Sequence, residues 1–192
     1  MTRVPLVSDG SADDVTASVF EAFYAEGREP IALYRALANV PILLRSYSVL
    51  ARSLRHDAVT DRRIRELVIL RTAQLTESSY EWSHHIQMAT AAGVTPEQVR
   101  TLSAWEQSTA FDERERASLR CAEEVHALGV TDQTFSELED VLGVAGALEI
   151  VLTASFYQAV ARMIQALRLE VEPAYRIPPG PEIDFSAPPD RA

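Results

Sequence analysis

Ionisable side chains interrupt apolar helical faces in one short part of the chain, residues 65–93. Glu66 falls on a helix face that is otherwise apolar, where partial loss of water favours the neutral form of a carboxyl group. Glu81 and His85 are four residues apart, so they share one face of the following helix, among small and apolar side chains. A carboxyl group and an imidazole in such surroundings are suited to proton transfer. We therefore expect these three residues to line a pocket.

The order of these residues resembles the motif of the carboxymuconolactone decarboxylase and alkylhydroperoxidase D-like family. The peroxidase branch of that family has a glutamate, two cysteines and a histidine, and Glu66, Ser78, Glu81 and His85 have the same spacing here. Tyr80 stands between the two cysteine positions, where the family often has histidine or tyrosine. The resemblance implies an all-α fold, an alkylhydroperoxidase D-like helical bundle.

The resemblance extends over about residues 30–100 and continues more loosely through a helix that includes residues 157–162. The sequence of this segment also resembles that of longer family members that lack the motif cysteines. A thiol peroxidase needs one thiolate to attack the peroxide and a second thiol to resolve it. Because serine and glutamate replace both cysteines, we exclude peroxidase chemistry of the motif type.

The decarboxylase branch implies loss of CO2 from a small acid without a metal or cofactor. On this hypothesis His85 transfers the proton, Glu66 orients its imidazole, and Tyr80 donates a hydrogen bond to the developing oxyanion. Ser78 and Glu81 would position the substrate or a water molecule. We therefore predict Glu66, His85 and Tyr80 as catalytic residues.

Two further residues are predicted to bind substrate, and each also has a structural interpretation. Trp82 lies beside the motif but could simply pack in the core, and Arg162 could bind a carboxylate or pair with a glutamate. Ser78 and Glu81 have the spacing of a helix capping box. Glu66 could pair with a neighbouring arginine, because buried carboxylates usually have partners.

Metal binding and an alternative thiol chemistry are both disfavoured. Glu81, His84 and His85 could hold zinc, but adjacent histidines point about 100° apart on a helix, so no metal is expected. His84 is predicted to be half exposed. A peroxidase-like oxidoreductase without the cysteine pair would need Cys121, the lone cysteine, which falls on an apolar stripe typical of a core.

Helical periodicity accounts for most of the chain. Only Pro96 lies between residues 42 and 172, whereas six of the ten prolines lie in 173–192. The sequence predicts one all-α domain over 1–172 and an extended C-terminal tail over 173–192. In that tail Tyr175, Ile177, Ile183 and Phe185 suggest an arm over the body or a neighbouring subunit, and a frayed end is the alternative. The predicted helices are 13–25, 30–38, 41–54, 61–75, one starting at 95, 113–128, 134–142 and 145–169.

Composition excludes several classes of function. All 18 cationic residues are arginine, so Schiff-base and P-loop mechanisms, which need lysine, are excluded. A net charge of -10 argues against nucleic-acid binding. The longest uncharged apolar stretch, 150–161, is too short for a membrane span, and the N-terminus lacks the apolar core of a signal peptide.

These observations together predict a cytoplasmic, cofactor-independent enzyme that acts on a small carboxylated or carbonyl-bearing molecule. The expected chemistry is decarboxylation or a related acid/base reaction. We also expect a homo-oligomer (dimer, trimer or hexamer), because the long apolar helix 145–169 exceeds what one small bundle readily covers. A catalytically silent ligand-binding or scaffold protein with the same fold is the further alternative.

Overall fold

A computed structural model describes residues 1–176 of the chain. This part contains eight α-helices, three short 3₁₀ helices and no strand, which confirms the all-α prediction. The 3₁₀ helices are Asp9–Ser11, Leu102–Gln107 and Pro173–Tyr175. The α-helices are α1 (Asp14–Ala25), α2 (Ala32–Leu37), α3 (Pro41–His56), α4 (Arg62–Leu75), α5 (Ser79–Ala91), α6 (Pro96–Thr101), α7 (Glu113–His126) and α8 (Asp132–Leu167).

Side-chain caps fix where the helices that carry the motif begin. The Asp61 carboxylate accepts a hydrogen bond from the backbone N–H of Arg63 and so starts α4. The Ser78 hydroxyl accepts from the backbone N–H of Glu81 at 3.4 Å and starts α5. Ser78 therefore has the capping role that its spacing also allowed.

Helix α4 lies at the centre of the molecule. Every residue from Ile64 to Gln74 is buried, as expected for a helix that is apolar on nearly all sides. The helix packs against α5, α7 and α8, and the apolar side chains of these four helices form much of the core. A polar group on α4 is therefore enclosed by protein, whichever way it points.

Helix α8 is interrupted at Gly143, where the backbone has φ of 71° and ψ of 168°. Only glycine adopts this conformation without strain, so the residue divides α8 into two straight parts. These parts correspond to the predicted helices 134–142 and 145–169. By length and composition α8 could cross a membrane, but half of its most apolar window is buried inside the bundle.

The segment that follows α8 returns over the body of the protein. Arg168 has a left-handed conformation that ends the helix, and Leu169 is buried against the core formed by α1, α2 and α8. The 3₁₀ turn Pro173–Tyr175 departs from the predicted absence of regular structure in 173–192. Tyr175 lies against the body, whereas Ile177, Ile183 and Phe185 lie outside the described residues.

Candidate active site

Glu66 and His85 are brought into direct contact by α4 and α5. Nδ1 of His85 lies 2.8 Å from Oε2 of Glu66, and Nε of Arg62 donates to Oε1 of the same carboxylate at 2.7 Å. Glu66 is fully buried and His85 is buried. With Nδ1 bound to the carboxylate, the ring nitrogen left for chemistry is Nε2.

The ionisation of Glu66 differs from the expectation based on its apolar helix face. Burial alone would raise the pKa of Glu66, but His85 and the Arg62 guanidinium outweigh that effect and hold the pKa below its ordinary value. Glu66 is therefore an ionised group that orients His85, and the prediction of a neutral carboxyl at this position is wrong. The pairing with an arginine that the sequence left open is also present.

Glu81 is the carboxyl group that takes the neutral form. Its side chain is buried, and neither carboxyl oxygen has a hydrogen-bond partner among the described residues. Burial raises the pKa of Glu81 to about 8, and the nearby Ser78 hydroxyl opposes this rise only in part. At neutral pH Glu81 therefore carries a proton, and it shares a helix face with His85 one turn further along α5.

A small cavity of about 60 Å³ lies beside these groups. Three of the predicted site residues, Tyr80, Glu81 and His85, line it, and Glu66 stands behind His85. Met88 of α5 also lines the cavity, and the rest of the wall comes from α1, α2, α3, α8 and the C-terminal segment and includes Phe23, Leu33, Tyr34, Tyr47, Arg55, Tyr157, Val160, Ile164 and Tyr175. The cavity is thus a small, partly open pocket with both polar and apolar walls.

The hydroxyl of Tyr80 forms hydrogen bonds with other groups of the protein. It donates to Oε1 of Glu172 at 2.9 Å and accepts from the backbone N–H of Leu33 at 3.3 Å. Burial and the Glu172 carboxylate raise the pKa of Tyr80 well above its ordinary value. In this arrangement Tyr80 holds the C-terminal segment in place, which corrects its predicted role as the oxyanion donor.

His84 is buried, so the prediction of a half-exposed residue is wrong. Its Nδ1 lies 2.8 Å from the backbone oxygen of Tyr80, and its Nε2 lies 2.9 Å from Oε2 of Glu172. Its ring is stacked between the rings of Tyr80 and Tyr175, with centroids 4.2 and 4.1 Å away. This packing could not be predicted from the local sequence, because Glu172 and Tyr175 are about ninety residues away along the chain.

Glu172 fixes the C-terminal segment as one wall of the cavity. Burial would raise the pKa of Glu172, but the His84 contact and the backbone N–H of Ala32, at 2.5 Å, lower it to about 2. The ionised Glu172 carboxylate contacts Tyr80, His84 and the backbone of Ala32, and these contacts hold the C-terminal segment against the body of the protein. The segment that carries Tyr175 therefore covers the cavity in this conformation.

Sequence reasoning missed several polar side chains of the cavity, among them Arg55, Tyr34 and Tyr157. Arg55, at the end of α3, interacts electrostatically with the hydroxyls of Tyr34 and Tyr157. The cavity wall therefore carries a guanidinium beside two tyrosine hydroxyls. Tyr157 also packs edge-on against His85, with ring centroids 4.9 Å apart. Its place in the more loosely matching helix was the one signal available in the sequence.

Two predicted substrate-binding residues lie away from the cavity. Trp82 is buried in the core formed by α4, α5 and the turn Leu102–Gln107, so its structural interpretation applies. Arg162 is exposed on α8, on the side of His126, whose pKa it helps to lower. The arginines that line the cavity are instead Arg28 and Arg55, among the described residues. Ser78 is also outside the cavity wall, since it caps α5.

Cys121 is sealed in the core between α4, α7 and α8. Burial, with a smaller contribution from Glu124, raises the pKa of its thiol to about 12, so the thiolate is essentially absent at neutral pH. We expect the native protein to react with an aromatic disulfide reagent only as fast as it unfolds. Cys121→Ser should leave any turnover unchanged, and a thiol that titrates rapidly in the folded protein would contradict this expectation.

Comparison with known proteins agrees with the fold and with the position of the motif. The model of the carboxymuconolactone decarboxylase family matches residues 43–124, which include Glu66, Glu81 and His85. No curated protein matches the chain.

Solved structures share the fold at low sequence identity. The debrominase Bmp8, also crystallised in complex with 2,3,4-tribromopyrrole, is 19% identical with a TM-score of 0.78, and the match covers 91% of this chain and 94% of that one. A peroxidase-related protein with an alkylhydroperoxidase AhpD core, from Ralstonia eutropha JMP134, is 18% identical with a TM-score of 0.76 and the same coverages of 91% and 94%.

A third similar structure comes from Agrobacterium tumefaciens and is described as a protein of unknown function of the AhpD antioxidant type. It is 18% identical with a TM-score of 0.65, and the match covers 71% of this chain and 94% of that one. The match of the family model to residues 43–124 and the AhpD-like helical fold around it confirm the resemblance to the carboxymuconolactone decarboxylase family that the motif predicted.

Proposed function

We propose that the protein catalyses proton transfer at a carbon atom next to a carbonyl group, in a decarboxylation or a related acid/base reaction. The observation that carries this proposal is that two carboxyl groups beside one cavity have opposite protonation states. Glu66 is ionised and holds His85, whereas Glu81 is neutral and neither of its carboxyl oxygens has a hydrogen-bond partner among residues 1–176. Two carboxyl groups with pKa values driven apart are the usual arrangement for separate acid and base roles.

His85 acts as the base in this proposal. Its Nδ1–H donates to the Glu66 carboxylate, which fixes the tautomer with a lone pair on Nε2 and stabilises the imidazolium that forms. Arg62 keeps Glu66 ionised throughout, so the proton stays on the imidazole. His85 lines the cavity and can therefore remove a proton from a bound molecule.

Glu81 acts as the acid. When His85 takes the proton of a carboxyl group next to an activated carbon, that group leaves as CO2, the C–C bond breaks and its electron pair moves onto the carbonyl oxygen, giving an enolate. Transfer of the Glu81 proton to the enolate carbon completes the product, and Glu81 regains a proton from solvent or from protonated His85. The same pair supports isomerisation, in which His85 removes a proton and Glu81 supplies one.

The enolate oxygen requires hydrogen-bond donors in a dry site. The hydroxyls of Tyr34 and Tyr157 line the cavity and can supply these donors, and the neighbouring Arg55 guanidinium adds positive charge. Tyr80 is not needed for this role, since its proton binds Glu172. This assignment keeps the oxyanion chemistry expected from the sequence but gives it to other residues.

The proposal is tested with small 3-oxo acids and unsaturated lactone acids, by following CO2 release and the exchange of carbon-bound hydrogen with deuterated water. His85→Ala should reduce the rate by about 10²- to 10⁴-fold. His126→Ala, which removes a histidine outside the cavity wall, is the matched control and should keep the full rate.

Two results would contradict the proposal. One is equal turnover by the wild-type protein and His85→Ala. The other is the absence of both CO2 release and exchange over the whole set of compounds, which would favour a ligand-binding or scaffold protein instead.

A further inference from the structure

The cavity beside His85 is too small for a whole substrate. Its volume is about 60 Å³, whereas a protein cavity that binds benzene measures about 150 Å³. A reacting group such as a carbonyl with its neighbouring carbon fits, but the body of the molecule does not. If the molecule reacts at His85, the remainder must lie in space that adjoins the cavity.

A second, larger groove adjoins the cavity on the side of α1 and α3. It has a volume of about 210 Å³ and is more open to solvent. Phe23, Arg28, Tyr34 and Arg55 line both spaces, so these side chains separate one from the other. A ligand that passes Arg55 from the groove arrives at the cavity wall that holds the tyrosine hydroxyls.

The groove is cationic in a strongly acidic protein. The chain has a net charge of -10, yet Arg45, Arg52, Arg55 and Arg28 line this groove beside a single carboxylate, Glu26. Arg45 and Arg52 are seven residues apart, so they lie two turns apart on one face of α3. Both are exposed, and Arg45 has no charged partner among residues 1–176 within ion-pair distance.

The charge of Glu26 is shared, because it pairs with Arg28 and lies 3.8 Å from Arg52. The pKa of the neighbouring His56 is lowered, first by burial and then by the positive charges of Arg55, Arg62 and Arg52. An anion would relieve the repulsion among these side chains.

The other side of the groove is apolar. Val19, Ala22 and Phe23 of α1 face the groove opposite α3, which itself contributes Val49. A site with an apolar side and two exposed guanidinium groups suits a molecule with a hydrocarbon body and one carboxylate, since arginine binds carboxylates in a two-pronged geometry.

We propose that this groove binds the retained carboxylate and the hydrocarbon body of the substrate, with Arg45 and Arg52 on the carboxylate and Arg55 at the passage to the cavity. The inference rests on the proposed function, and it narrows the substrate class to organic acids that carry a carbonyl group beyond an apolar segment. The carboxylate stays in the groove while the carbonyl end reaches His85 and Glu81.

Binding is measured by isothermal titration with hexanoate and benzoate, beside the uncharged hexanamide and benzamide and inorganic phosphate. We expect the two carboxylates to bind and the amides and phosphate to bind at least tenfold more weakly. Arg52→Gln and Arg45→Gln should each weaken carboxylate binding by about tenfold. Arg114→Gln, which removes an exposed arginine of α7, should bind as the wild type does.

Three results would overturn the inference: amides that bind as tightly as acids, phosphate that binds as tightly as hexanoate, or an equal loss in Arg114→Gln and Arg52→Gln. Glu81→Gln separates this inference from the proposed function, because it should abolish turnover and keep hexanoate binding. Carboxylate binding without turnover of any compound would contradict the proposed function alone. Turnover with a KM that Arg52→Gln leaves unchanged would contradict the groove alone.

Discussion

Replacing Glu81 with glutamine should make the protein more stable and at the same time inactive. The buried carboxyl has a pKa of about 8, against 4.5 for an ordinary glutamate, because burial disfavours its charged form. The unfolded chain loses this proton near pH 4.5, whereas the folded protein holds it until about pH 8. Stability is thus fully present below pH 4.5 and falls as the pH rises to about 8, by about 1.4 kcal/mol per pH unit.

Glu81→Gln removes this loss, because glutamine is neutral in both states. The variant should gain up to about 5 kcal/mol over the wild type at pH 8 and little at pH 4.5. Urea unfolding followed by circular dichroism over this pH range measures the difference. Glu139→Gln changes the charge equally at an exposed position of α8 and should show no such trend.

In activity assays the same variant lacks the acid, so turnover should fall by about 10²- to 10⁴-fold. A stability difference that does not grow between pH 4.5 and pH 8 would show that Glu81 is ionised in the folded protein. That result would remove the acid from the proposed mechanism.

Glu66→Gln should have the opposite effect on stability. Its carboxylate is fully buried between His85 and Arg62, and removing one charge of a buried pair costs about 3 kcal/mol. Because the pKa of Glu66 lies below its ordinary 4.5, ionisation stabilises the fold above pH 4.5, and this stabilisation is lost as the pH falls. The loss of unfolding free energy caused by Glu66→Gln should therefore become smaller in acid. At the same low pH the stability of Glu81→Gln also approaches that of the wild type.

Loss of the carboxylate should also lower turnover by about 10²- to 10⁴-fold, because the imidazole loses the group that fixes its tautomer. Glu123→Gln is the matched control: Glu123 is a buried carboxylate of α7 that pairs with Arg71 at 2.8 Å, outside the cavity wall. It should destabilise the protein to a similar extent and keep turnover. Equal activity losses in the two variants would mean that Glu66 acts through stability alone.

The helices and the contact between α4 and α5 could be predicted from the sequence. Apolar residues at helical spacing gave the helices to within a few residues, and the family spacing identified Glu66 and His85, which lie 2.8 Å apart in the structure. Periodicity succeeds here because it reports which residues share one face of one helix.

The ionisation states of the two carboxyl groups depended on tertiary structure. Glu66 and Glu81 both lie on largely apolar helix faces, so local sequence could not distinguish them. Arg62 places a positive charge beside Glu66 and His85 contacts its carboxylate, whereas no group does either for the Glu81 carboxyl among the described residues. A pKa depends on all charges and on the loss of water around a group, and these are set by elements distant in sequence.

The same reason explains the remaining corrections. Arg55 from α3, Tyr157 from α8 and Glu172 after α8 reach the cavity from separate parts of the chain, while Arg162 points away from it. A helical pattern fixes the face on which a residue lies, but it does not state which element will cover that face. The sequence thus determined the helices and the Glu66–His85 pair, and only packing decided which groups complete the site, because packing is what brings distant side chains into one low-dielectric space.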